Sequence, residues 1–137
     1  MSAYHETVEI SGHGRGFHEI TDQIARVVAK SSTDAGSCLV FVQHTSAGLC
    51  IQENADPSAR HDMEAWLDRI APEHQPEYTH TTEGPDDMPA HLKAILTGGS
   101  VEIPVINGRL AMGTWQGLYF CEFRNRPSTR RVVVMVR

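Results

Sequence analysis

The 137-residue chain has the length of one ordinary domain, and its 40% hydrophobic content can build a core without a disulfide framework. A formal net charge of −5 argues against a general polyanion binder, so nucleic acid is not an expected partner. Arg124, Arg126, Arg130 and Arg131 still leave room for a local anion such as a phosphate. No apolar stretch reaches the ~18 residues of a membrane span and no apolar leader is visible, so no membrane partner is expected. Cys38, Cys50 and Cys121 each lie in an apolar run without CxxC spacing, which fits buried, unreactive thiols and a cytoplasmic location.

The first predicted element is a strand over 4–10. Gly12, Gly14 and Gly16 then form a turn, because no buried strand leads into this GxGxG as a phosphate loop requires. Ile20, Ile24, Val27 and Val28 recur at helical spacing and predict a helix over 21–30, capped by Thr21 or Asp22. The apolar run Cys38-Leu39-Val40-Phe41-Val42 predicts a strand buried on both faces, followed by a second strand over 48–53. Asp56-Pro57 opens a second helix with a cap and an N1 proline, and Met63, Trp66, Leu67 and Ile70 form its predicted buried stripe. The stretch 73–87 carries no period, and long irregular segments are often functional. A third helix over 89–96 is expected to bury Met88, Leu92, Ile95 and Leu96. A strand over 101–105 runs into the Asn107-Gly108 hairpin turn, and further strands are predicted from Arg109, over 117–123 and over 131–136. These elements read as an α+β fold with mainly antiparallel sheets and about three helices.

His44, in Gln43-His44-Thr45-Ser46-Ala47-Gly48-Leu49, stands at the end of the apolar strand, where a rigid element can aim a ring nitrogen. It is either a metal ligand or a histidine satisfied by backbone. Thr45 and Ser46 orient it, contact a ligand, or simply turn the chain. His91 shares the predicted inward face of the third helix and needs a carbonyl, water or metal as partner there. His80 lies in an extended or loop segment. The three imidazoles have no HxxxH or HExxH spacing; their interest is that a strand end, a loop and a helix face can converge on one divalent cation. Glu53 ends the strand that starts beside His44 and is a candidate base, or a partner that orients an imidazole. Asp86 and Asp87 read as capping or turn residues, of which one can assist a metal. Trp115 and Gln116, between Gly113 and Gly117, can stack on and read a heteroaromatic ring or belong to a bulged core strand. Glu122 needs a cationic partner, with Arg131 and Arg109 as candidates. The other histidines, His5, His13, His18, His61 and His74, read as surface residues.

The strings His44-Thr45-Ser46-Ala47, Glu53-Asn54-Ala55-Asp56, Asp87-Met88-Pro89-Ala90-His91-Leu92-Lys93, Asn107-Gly108-Arg109-Leu110 and Gly113-Thr114-Trp115-Gln116 occur in one order. Together, over about residues 19–136, they closely resemble the YjbQ-like family. The resemblance implies an α+β, β-sandwich-like fold, a homotrimer, and a metal-associated cluster at His44, His80 and His91. The family carries the label of a secondary thiamine-phosphate synthase, which implies joining a pyrimidine diphosphate to a thiazole phosphate with release of pyrophosphate, as a main or a side activity. On that reading Glu53, Thr45 and Ser46 serve catalysis, and Arg109, Trp115, Gln116, Glu122 and Arg131 bind the small phosphorylated metabolite. Three neutral imidazoles suit zinc better than magnesium. Two other readings stay open: a zinc-dependent hydrolase or isomerase of a phosphorylated metabolite, and a non-catalytic metabolite-binding module.

Overall fold

The computed structural model describes residues 3–137. Its elements run β1 (Tyr4–His13), β2 (Gly16–Glu19), α1 (Thr21–Ser31), β3 (Gly36–Val42), β4 (Ala47–Glu53), α2 (Pro57–Ile70), α3 (Asp87–Thr97), β5 (Ser100–Ile106), β6 (Arg109–Leu110), β7 (Gln116–Glu122) and β8 (Ser128–Val136). The strands form two antiparallel sheets, one ordered β1-β8-β3-β5-β6 and the other β2-β7-β4. The α+β expectation holds.

Strand β7 explains the layering. Leu118 and Phe120 join the core shared with α1 and the larger sheet, while Tyr119 and Cys121 join a second core with Phe17, Leu67, Ala90 and Phe123. Alternate side chains of one strand thus enter two cores, because helices α2 and α3 cover the face of the smaller sheet that the larger sheet does not. This is the strand buried on both faces. The run Cys38–Val42 is not: Cys38, Val40 and Val42 are buried, but Phe41 stands 49% exposed. An apolar run leaves that distinction open, since it has no alternation to read.

Helix boundaries follow local chemistry with two corrections. Asp56 caps α2 by accepting from Ser58 N–H at 2.9 Å, ahead of Pro57 at the start of the helix. Helix α1, in contrast, has Ile20 at its N-cap and no side-chain cap. Thr21 instead turns its hydroxyl to Glu19 and accepts the Leu118 N–H, tying α1 to β7. Helix α3 begins at Asp87, two residues before the expected Pro89, which the first turn tolerates. Its buried face is Asp87, Pro89, Ala90 and Lys93, whereas Ile95 and Leu96 point outward. On α2 only Leu67 is fully buried, and Trp66 and Ile70 are exposed.

Two close approaches fix the pieces. A Cβ at Gly48 would lie 2.0 Å from Thr97 Oγ1, so glycine lets β4 run against the end of α3, where Leu49 N–H donates to Gly98 O at 3.1 Å. Asn107 and Gly108 both take positive φ, 53° and 73°, closing the tight turn between β5 and β6. Among the described residues no helix is long and apolar enough to cross a membrane.

Register decides where loops meet. Ala47 pairs with Glu122, so the loop before β4 and the loop after β7 leave the smaller sheet at the same edge. Glu53 pairs with Gln116 at the opposite edge. The two edges are separated by the length of β4, about 20 Å for seven extended residues.

Candidate metal centre

Asp87 organises the site. It is 3% exposed, at the first position of α3, and its Oδ2 lies 2.7 Å from His80 Nε2 and 3.0 Å from His91 Nε2. Asp87 and His91 are one helical turn apart and therefore share a face. His80 arrives from the irregular segment before α3, and its Nε2 also lies 3.0 Å from Glu83 Oε2. Arg124, from the loop after β7, donates to Asp87 Oδ1 at 2.6 Å, to Asp86 Oδ2 at 2.9 Å and to Glu83 O at 2.8 Å. One guanidinium thus pins the irregular segment to the start of α3.

Burial raises the Asp87 pKa, but the hydrogen bond from His80 and the charges of His91 and Arg124 outweigh it and hold the carboxyl below its ordinary value. Asp87 is a carboxylate at neutral pH. Asp86 is likewise held low, since Asn125 N–H and Arg124 outweigh the upward push of burial.

His91 carries the main clue to chemistry. Its Nδ1 lies 2.8 Å from the Thr45 carbonyl, which only accepts, so Nδ1 carries the proton. In the neutral ring Nε2 then presents a lone pair, 3.0 Å from an ionised carboxylate oxygen. Two acceptors at that distance require a cation between them, either a proton on the ring or a metal ion. A backbone carbonyl that fixes the far nitrogen is also how metal-bound imidazoles are oriented.

The donor atoms of His80, Asp87 and His91 all lie within 4.8 Å of one another, and the group could hold a metal ion. Zinc bonds of 2.0–2.2 Å in a tetrahedron place ligand atoms about 3.3 Å apart. The observed 2.7 and 3.0 Å are a few tenths tighter, so small side-chain rotations open the set to that size. Two imidazoles and one carboxylate leave a coordination position free for a small molecule.

The sequence-derived candidates separate into three places. His80 and His91 meet, and Thr45 contributes its carbonyl to His91. His44 is not a member of the His80–Asp87–His91 group: its Nε2 accepts the Arg131 N–H at 2.8 Å. Ser46 Oγ accepts from Arg130 at 2.9 Å, and Arg130 grips Glu122 through two bonds of 2.7 and 2.6 Å. Glu122 is therefore paired with Arg130, not with Arg131 or Arg109, because alternation along β8 turns Arg130 inward and Arg131 outward. At the opposite edge, Glu53 accepts the Asp56 N–H, Gln116 accepts the Gly113 N–H, and Trp115 is exposed. Arg109 lies on β6, the edge strand of the larger sheet. From sequence, Asp86 and Asp87 read as capping or turn residues, of which one can assist a metal. The signal that singles out Asp87 is its i, i+4 relation to His91.

Two clefts open beside the segment that carries His80, and His80 lines one of them. A polar one of about 530 Å³ is lined by Ser46, Glu83, Asp86, Arg124, Arg126 and Arg130, among others. A more apolar one of about 290 Å³ is lined by His80, Tyr78, Pro85 and Met88, among others. Gly84 and Pro85 border both.

A family model described as UPF0047 protein YjbQ-like matches residues 6–137. The chain belongs to the YjbQ-like UPF0047 family. A UPF0047 protein of Synechocystis sp. is 46% identical over 97% of this chain and 90% of its own length. The YjbQ protein of Escherichia coli is 40% identical over 98% of this chain and 97% of its own. An uncharacterized conserved protein of the yjbq/upf0047 family from Clostridium acetobutylicum has the same fold, with a TM-score of 0.88 and 36% identity over 96% of this chain and 99% of that one. The sandwich of two sheets and three helices is thus the YjbQ-like fold.

His44 yields a pH prediction. Burial first, then the charge of Arg130, pushes its pKa below the ordinary 6.5. A depressed imidazole stabilises the fold above its unfolded pKa, and that contribution is lost as pH falls through the folded value. The melting temperature is therefore expected to drop as pH falls below about 6.5. His44→Gln, which can still accept the Arg131 N–H but does not titrate, flattens that slope. An unchanged slope in the variant would remove His44 as the source.

Proposed function

We propose that the protein is a divalent-metal-dependent enzyme that breaks the bond between a small organic group and a phosphate or diphosphate, with His80, Asp87 and His91 holding the metal. The observation that carries this reading is the His91 ring, fixed at Nδ1 by Thr45 O while Nε2 faces a shared, ionised carboxylate. The bound metal would neutralise charge developing on a leaving phosphate. Zinc is favoured over magnesium by two nitrogen donors. Arg126, exposed in the polar cleft, supplies charge for the phosphate oxygens, whereas Arg124 and Arg130 are already held by carboxylates. The apolar cleft beside His80 suits a ring.

The acceptor defines the reaction. With a thiazole nitrogen as acceptor and a pyrimidine diphosphate as donor, the reaction is the thiamine-phosphate synthesis that the family resemblance implies; with water it is hydrolysis. Glu83, 3.0 Å from His80, is placed to take a proton from water, and Glu53 is at the other edge of β4. The test uses metal-stripped protein reloaded with zinc. Formation of thiamine phosphate above a zinc-only control supports the transferase, and release of phosphate from simple phosphomonoesters supports the hydrolase. Binding of these ligands without turnover, unaffected by chelator, would overturn both and leave a binding module.

The same reading takes the chain as a homotrimer. The outer face of the larger sheet offers an apolar stripe for a second copy, with Leu39 opposite Met135 and Phe41 opposite Val133. Phe41→Lys is expected to shift the sedimentation mass from three chains to one. A wild type that sediments as a monomer at micromolar concentration would sink the assembly.

A further inference from the structure

The cysteines expected to be inert include a pair in contact. Cys50 on β4 and Cys121 on β7 place their sulfurs 3.7 Å apart. Cys50 is opposite Tyr119 and Cys121 is opposite Gly48, so the two thiols lie on a diagonal of one strand pair, both on the face toward α2 and α3. Their surroundings differ. Cys121 is fully buried, while Cys50 is half-buried and opens on an apolar cleft of about 310 Å³ whose walls include Met63, Trp66 and Leu96. Cys38 is buried in the other core.

We propose that Cys50 and Cys121 form a peroxide-oxidisable dithiol, in which Cys50 meets the oxidant from the apolar cleft and Cys121 resolves it as an intrachain disulfide. A small neutral peroxide can enter an apolar cleft that would exclude a charged oxidant. The Cys50 sulfur attacks one peroxide oxygen and the O–O bond breaks. The departing hydroxide takes the former Cys50 thiol proton and leaves as water, so Cys50 becomes a sulfenic acid. The Cys121 sulfur then attacks the Cys50 sulfur and the S–O bond breaks. The second hydroxide leaves as water with the Cys121 proton. The two thiols lose two electrons in all, and one peroxide gains them. The order of roles follows from exposure. It agrees with the hydrogen bond from Cys121, which lowers the Cys50 pKa, and with burial, which raises that of Cys121.

Bond formation brings the sulfurs from 3.7 Å to about 2.0 Å. Side-chain rotation and a slight closing of β4 on β7 supply that movement.

The test is intact-mass spectrometry of the metal-free full chain after brief exposure to hydrogen peroxide, followed by denaturation and alkylation. The wild type is expected to lose about 2 mass units and two of its three alkylatable thiols, with Cys38 still reactive and dithiothreitol restoring the rest. Peptide mapping should find Cys50 linked to Cys121. In Cys121→Ser the reaction is expected to stop at a Cys50 sulfenic acid that dimedone traps. In Cys50→Ser no mass is lost and Cys121 stays reduced. The proposal is overturned if the wild type keeps three thiols at peroxide levels that oxidise free cysteine. It is equally overturned if Cys50 goes straight to sulfinic acid, or if the bond forms with Cys38 or with another chain. The wild-type measurement decides even if a variant fails to fold.

Discussion

Asp87→Asn is expected to weaken zinc binding by at least about 100-fold, because losing even a partner of a metal ligand costs 10–100-fold and Asp87 would be a ligand itself in the proposed centre. The carboxylate brings His80 and His91 to one oxygen and takes Arg124 on the other. The amide keeps the size of the side chain but removes its charge and turns one oxygen into a donor that clashes electrostatically with the guanidinium. Asp86→Asn is the matched control, since Asp86 faces Arg124 and the Asn125 N–H instead of the imidazoles. Isothermal titration of metal-stripped protein should show the loss in Asp87→Asn alone. Equal affinity in wild type and Asp87→Asn would take the centre away from this cluster. Asp87, held below the ordinary carboxylate value, keeps its charge for the metal at neutral pH, a charge that the amide of Asp87→Asn lacks.

Much of this arrangement is legible in the residues. The Asp56-Pro57 helix start, the Asn107-Gly108 turn and the α1 stripe each rest on local chemistry, and local chemistry decides them. His80 and His91 stand out because polar rings flank an irregular acidic turn. What was hidden depends on phase and on long-range register. Helix α3 has apolar residues on most of its circumference, so its sequence does not say which face is inward; Lys93 is buried and Ile95 is exposed because β4 packs closely at Gly48. The run from Val132 to Val136 is apolar at every position, so it gives no alternation from which to decide whether Arg130 or Arg131 turns inward. That choice is made by pairing β8 with β1 on one side and β3 on the other. His44 is at a strand end as expected, but the same register brings the Arg131 N–H to its Nε2. Asp87 is not separated from Asp86 for a different reason: an acidic residue at a helix start already has a sufficient explanation as a dipole partner.

Arg130→Met is expected to destabilise the fold by about 3–5 kcal/mol, since it leaves Glu122 charged and buried without its cation. The Glu122 side chain is 1% exposed and that of Arg130 10%, so water cannot replace the lost partner. The Arg124 N–H would still reach Glu122 Oε2 at 3.1 Å, but one neutral donor does not compensate a buried carboxylate. For a chain of this size the corresponding fall in melting temperature is about 10–20 °C. The double variant Glu122→Leu with Arg130→Met separates the pair's net contribution from the cost of breaking it. An apolar replacement of both partners is expected to recover most of the loss, because desolvating two charges offsets much of their attraction. Ser46 supplies the functional readout. Its hydroxyl accepts from Arg130 and its carbonyl accepts the Phe123 N–H, and the adjacent Thr45 carbonyl holds His91. If the pair only stabilises the core, the double variant binds zinc like the wild type. If it also positions the loop before β4, the double variant regains its melting temperature while its zinc affinity stays low. A double variant as unstable as Arg130→Met alone would show that the pair contributes as much as breaking it costs, and that account of the buried charges would fail.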